Sequence, residues 1–91
     1  MPLAAALIHE ENGASGISFP DFPGAVSGGD SPEDAIRRGS AALTFHVAGM
    51  LEDGEKLPFL RSLAELNGDA TFREDSEGAV LVMVPFELPT Q

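Results

Sequence analysis

Cysteine is absent from the 91 residues. That excludes a disulfide framework, a thiolate metal site, a thiol nucleophile and redox chemistry carried by this chain, and it suits a reducing, cytoplasmic setting. Aromatic residues are few, six Phe with no Trp or Tyr. The core must therefore be built from Ala, Leu, Val, Ile and Phe. Basic residues are scarce, five Lys and Arg against fifteen Asp and Glu, for a formal charge of −10. Such a field repels phosphate backbones and attracts basic surfaces, so direct nucleic-acid binding by this chain is not expected. The plain reading of the acidity is solubility; the sharper one is a basic partner. Long apolar runs are missing too. Met1 to Ile8 is too short to span a membrane, has no basic start and runs into His9-Glu10-Glu11, so neither an export signal nor a membrane anchor is expected.

What is present is 43% hydrophobic residues in ordinary globular proportion, enough for a single small domain over residues 1–91 but too short a chain for an elaborate buried active site. Leu3-Ala4-Ala5-Ala6-Leu7-Ile8 is apolar, Glu11-Asn12-Gly13-Ala14 supplies turn chemistry, and Ser15-Gly16-Ile17-Ser18-Phe19 alternates small and apolar residues. These features predict a hairpin with strands at about 3–10 and 15–20. Pro20 and Pro23 cannot donate to a ladder, so the chain must leave pairing there, turn at Gly24 and return as a third short strand over Ala25-Val26-Ser27.

Ser31 then sits at an N-cap, Pro32 at the first helical position, and Glu33 and Asp34 in the first turn, where free amides and the helix dipole favour carboxylates. Ala35, Ile36, Gly39, Ala42, Leu43, Val47, Met50 and Leu51 recur at three- and four-residue steps, predicting one long helix that ends at Asp53-Gly54 and packs closely on the sheet through its Ala and Gly. Leu60 to Leu66 reads as a short second helix ended by Asn67-Gly68. Asp69 to Gly78 reads as a polar connector, and Ala79 to Val84 as a central strand covered on both faces. Pro85 and Pro89 leave Phe86-Glu87-Leu88 as an edge strand or tail. The expected architecture is α+β, a three-stranded antiparallel meander, long helix, short helix and final strand, with the helices on one face.

Few groupings suggest catalysis. His9 and Glu10 face opposite sides of a strand and His46 lies on a distant helix, so no metal or cofactor site is expected. Asp21, the one carboxylate on the constrained turn, could join a two-metal nuclease site, but the apolar strands offer it no partner carboxylate, and bonds to turn amides are the simpler role. Ser31 is accounted for by capping. The segment from Gly24 to Gly28-Gly29 lacks the lysine of a phosphate loop. Arg37 and Arg38 suit helix-surface pairs with Glu33 and Asp34. No catalytic residue is assigned.

Three blocks carry a resemblance: Phe19-Pro20-Asp21-Phe22-Pro23-Gly24, then Ser27-Gly28-Gly29-Asp30-Ser31-Pro32-Glu33-Asp34-Ala35, then Leu51-Glu52-Asp53-Gly54-Glu55-Lys56-Leu57-Pro58. In order and spacing the chain resembles the HicB-like antitoxin family across about residues 3 to 88. The resemblance implies a partially degraded ribonuclease H-like fold and a non-enzymatic role, masking a small basic HicA-like ribonuclease that cleaves mRNA. The acidic field suits such a partner. Complete members of that family carry a carboxy-terminal DNA-binding module, whereas this sequence stops at Gln91, so operator binding is not expected of it.

The leading expectation is thus an antitoxin-like binding protein of a type II toxin-antitoxin pair. The alternatives are an oligomeric scaffold domain with a non-toxin partner and a divergent metal-dependent nuclease. Asp21, Asp30, Glu33 and Asp34 are the candidate partner contacts, while Phe19, Pro20, Pro23, Gly24, Ser31 and Pro32 are expected to build the fold. A homo-oligomer, dimer or tetramer, is expected because the tail strand at Phe86 to Leu88 would leave an edge to cover.

Overall fold

The computed structural model describes residues 1–89; the chain end at Gln91 lies outside them. The elements follow as β1 (Leu3–Glu11), β2 (Ala14–Ser18), β3 (Val26–Gly29), α1 (Pro32–Glu52), α2 (Leu63–Asn67), α3 (Ala70–Asp75) and β4 (Val80–Pro85). One antiparallel sheet has the order β3-β2-β1-β4. The hairpin between β1 and β2 closes on Asn12 and Gly13, with φ of 53° and 82° and Glu11 opposite Ala14. Two consecutive positive φ values are the mark of a type I′ turn, whose twist matches that of the strands it joins.

β1 is the strand covered on both faces. Its alternation sends Ala4, Ala6 and Ile8 into one core with Ile17, Leu43, Val47 and Val84, and Ala5 and Leu7 into a second with Leu66 and Phe72. Helix α1 covers the first face, and α2 and α3 the second. The helices therefore do not share one face as expected. The final strand differs as well: β4 is an edge strand, with Val80 and Met83 exposed and only Val84 fully buried. A continuous apolar run is compatible with either position. Neighbours decide, and β4 has only β1.

The long helix starts as expected. Ser31 is its N-cap, with its hydroxyl accepting from Asp34 N at 3.1 Å, and Pro32 occupies the first turn. Close packing on the sheet follows from Gly39: a Cβ there would lie 3.0 Å from Ile17 Cδ1 and Cγ2. Gly29 is tighter still, since a Cβ would come within 2.8 Å of Ala35 N. The end of β3 thus rests directly on the first turn of α1.

Two further expectations change, and a third resolves to one of its alternatives. The second helix begins at Leu63, because Ser62 and Glu65 form a reciprocal capping box that leaves Leu60 and Arg61 outside the helix. The connector from Asp69 to Gly78 contains a helix, α3, capped by Asp69 and anchored by buried Phe72. Phe86 to Leu88 is a tail outside the sheet. Phe86 is buried edge-on against Phe22, with centroids 5.6 Å apart, and its amide donates to Pro2 O. That tail adds no edge of its own, so the sheet ends on the outer sides of β3 and β4.

Candidate functional site

The turn after β2 is built from stacked short-range bonds. Phe22 N donates to Phe19 O and Ala25 N to Phe22 O, each at 3.0 Å, and Gly24 takes a φ of 92°. Phe19 and Phe22 are buried while Pro23 and Gly24 face solvent. Burying the two rings brings Asp21, on the same turn, inward with them.

Asp21 is buried and fully engaged. Its Oδ1 accepts from Arg61 Nε at 2.6 Å and its Oδ2 from Arg61 N at 3.0 Å. The guanidinium reaches on to Asp69 Oδ2 at 2.7 Å and Pro20 O at 3.3 Å. Asp69 meanwhile caps α3 through Thr71 N at 2.9 Å. The hydrogen bonds from Asp21 and Asp69 raise the Arg61 pKa, and the Arg61 bond, followed by Thr71 N, holds Asp69 below its ordinary value. The carboxylate expected to bond its own turn, or to face a partner, instead ties the turn to a segment 40 residues away. The Arg61 guanidinium thus supplies the positive charge that balances the Asp21 carboxylate. Among the described residues no three His, Asp or Glu side chains gather as a metal site would require.

At the start of α1, Asp34 accepts from Asp30 N at 3.2 Å and pairs with both Arg37 and Arg38, the latter at 3.1 Å. Its pKa is lowered, first by the Asp30 amide and then by the two guanidinium groups. Glu33, expected to share those arginines, pairs with neither. Glu33 and Asp30 stand exposed with no cation beside them among the described residues. Of the four candidate contacts, then, Asp30 and Glu33 project freely, Asp34 is shared by two arginines, and Asp21 is inside. His9 is exposed on β1; His46 is half-buried, edge-on to Phe22 at 6.5 Å.

The arginines leave little free positive charge. Arg37, Arg38 and Arg61 are each paired within the chain, leaving Lys56 and Arg73 against an excess of surface carboxylates. One prominent surface residue had no place in the apolar pattern of the sequence: Phe45, on the outer side of α1, is 81% exposed. Its signal was there, a large apolar residue on the face left for polar ones. Arg61 had none, because its partner lies far off in the chain.

The family described as HicB-like antitoxin of bacterial toxin-antitoxin system matches residues 4–90. Among solved structures, the Burkholderia pseudomallei antitoxin HicB is similar with a TM-score of 0.76 and 30% identity, over 97% of this chain and 65% of that one. The N-terminal domain of the same antitoxin gives 0.74 and 27%, over 96% of this chain and all of that one. The fold also matches a HicA3 and HicB3 toxin-antitoxin complex, with a TM-score of 0.75 at 20% identity, over 96% of this chain and all of the matched one. A curated relative, an uncharacterized 14.9 kDa protein from the rep-hol intergenic region of Haemophilus phage HP1, is 43% identical over 51 residues, which are 56% of this chain and 38% of the phage protein. The chain thus spans less than two thirds of that phage protein and of the full-length Burkholderia antitoxin. With the family matched from the first core residue of β1 to beyond β4, and the sheet and helices superposing on solved antitoxins, the chain belongs to the HicB-like antitoxin family.

Proposed function

We propose that this protein is the antitoxin of a type II toxin-antitoxin pair and acts without catalysis, by binding and masking a small basic HicA-type ribonuclease. The observation that carries the reading is the family match over residues 4–90. The surface supports it. With three of five cations consumed by internal pairs, the exposed carboxylates present a nearly unopposed negative field. Such a field accelerates capture of a cationic partner and competes with the RNA that partner binds. Asp30 and Glu33, exposed and unpaired at the start of α1, are the proposed contacts from that region, since Asp21 is enclosed and Asp34 is engaged by Arg37 and Arg38. The cytoplasm, where mRNA is the toxin's substrate, is the proposed setting; among the described residues no helix is long and apolar enough to cross a membrane.

The test is co-purification of the chain with the HicA-type protein encoded beside its gene, followed by an mRNA-cleavage assay. The expected result is a stable complex in which cleavage is suppressed. A toxin that ignores the chain and cleaves at its full rate would refute the proposal.

A further inference from the structure

Phe45 stands at the middle of α1 with its ring in solvent, 81% exposed. Beside it lies a cleft of about 440 Å³ between the second half of α1 and the chain where it enters β3. Ala42, Phe45, Gly49 and Asp53 recur at three- and four-residue steps and form one wall. Gly24 and Val26 form the other, with Val26 66% exposed. His46 and Met50, both half-buried, lie between them. Two large apolar side chains thus stand uncovered on facing walls, and the carboxylates of Asp53 and Glu55 complete the lining.

Those carboxylates stand where the free chain gains least from them. Asp53 is the C-cap of α1, and the last turn of the helix holds no basic residue. The helix dipole places partial negative charge at this end and disfavours acids there. Neither Asp53 nor Glu55 has an ion pair among the described residues, and Lys56, next in the chain, pairs with neither. The hollow on the other side of Phe45 is different, since Arg37 and Glu87 bring it one charge of each sign. Negative potential therefore converges on the one cleft. A side chain that is apolar along its stem and cationic at its tip matches such a place, and arginine does so best because its planar head also stacks on aromatic rings.

We propose that this cleft seats an arginine side chain of the basic toxin, an inference that rests on the masking role proposed above. The stem lies against Val26 and Met50, and the guanidinium stacks on the Phe45 ring and bonds to Asp53 and Glu55. The cleft also continues the acidic contact at the start of α1. Val26 opens β3 and Gly29 closes it, with Asp30 and Glu33 following at that second end. β3 is an outer strand of the sheet and only about 13 Å long, so one partner lying along it reaches both places. A second copy of the chain suits the cleft poorly, because it brings a charge of −10 to a negative site.

The test is titration of the toxin encoded beside the gene into the full chain and two variants, by calorimetry and by nuclear magnetic resonance of the isotope-labelled chain. The ring resonance of His46, one of two histidines, is expected to shift as the toxin saturates the chain. Phe45→Ala, which removes an exposed ring and leaves the core intact, is expected to weaken binding about tenfold or more with an unchanged far-ultraviolet spectrum. Asp53→Lys is expected to weaken binding about tenfold while raising the urea midpoint of the free chain, because it sets a cation at the end of the helix. A merely structural role for Asp53 would move the two readouts together. Toxin affinity unchanged in either variant, or a His46 resonance unmoved at saturation, would overturn this inference and leave the masking role standing. Self-association lost in Phe45→Ala with toxin affinity intact would give the cleft to a second copy and overturn it as well. No binding by the unmodified chain would remove the masking role and this inference together.

Discussion

Asp21 Oδ1 lies 2.6 Å from Arg61 Nε, with the Asp21 side chain 2% exposed and the Arg61 side chain 29% exposed. This pair clasps the turn after β2 to the connector before α2, and through Asp69 to the start of α3. Removing Arg61 strands a buried carboxylate, whereas removing Asp69 unpairs a partly exposed guanidinium arm and uncaps the short helix α3, a loss of about 1 kcal/mol. Arg61→Ala is therefore expected to destabilise the fold by about 2–4 kcal/mol, more than Asp69→Ala does. Urea unfolding midpoints of the two variants measure the order, and equal effects would contradict it.

Two glycines of α1 should respond with opposite signs. At Gly39 a Cβ meets Ile17 at 3.0 Å and Phe19 at 3.4 Å, while at Gly49 it meets nothing within 4 Å. Gly39→Ala is expected to cost about 1–2 kcal/mol once crowding outweighs the helical gain. Gly49→Ala is expected to stabilise by roughly 0.5–1 kcal/mol. Urea unfolding midpoints of the two variants provide the check.

The cap of α1 is a local device with a local cost. Ser31→Ala removes the acceptor for Asp34 N and is expected to lower stability by about 1 kcal/mol, with Ser31→Asp restoring most of it. Thermal unfolding of the pair of variants provides the check.

Acid should loosen the molecule through identifiable groups. Asp34, Glu65 and Asp69 all have pKa values held below their ordinary 3.8 or 4.5, by the Asp30 amide and two arginines, by Ser62, and by Arg61 with Thr71 N respectively. A depressed carboxyl contributes stability that is present above its ordinary pKa and is lost as pH falls through the depressed one. Stability is thus expected to fall below about pH 4.5. Hydrogen exchange should show the segment holding α2 and α3 opening first, since Glu65 and Asp69 cap both helices. A urea midpoint unchanged from pH 7 to pH 3 would contradict this.

How far the sequence revealed all this depended on distance along the chain. The Asn12-Gly13 hairpin and the Ser31-Pro32 helix start are encoded by adjacent residues, and both were legible. So was the packing helix, whose period is local. The place of β4 was not, because Ala79 to Val84 reads the same at a centre as at an edge. Helix α3 is a six-residue element held by Asp69 and Phe72, a signal too brief to stand out in a polar stretch. The Asp21–Arg61 clasp joins residues 40 apart, and neither end announces the other. At the candidate site, Asp30 and Glu33 could be named from the sequence, but that Arg37 and Arg38 would both choose Asp34 depended on side-chain geometry.

The central claim is that an acidic HicB-like chain masks a basic ribonuclease. Isothermal titration of the chain into the HicA-type toxin encoded beside its gene tests it most directly. The account predicts saturable binding that weakens as salt rises and weakens further in Asp30→Lys and Glu33→Lys. An absence of binding heat at low and moderate ionic strength, with mRNA cleavage undiminished in the same mixtures, would contradict it.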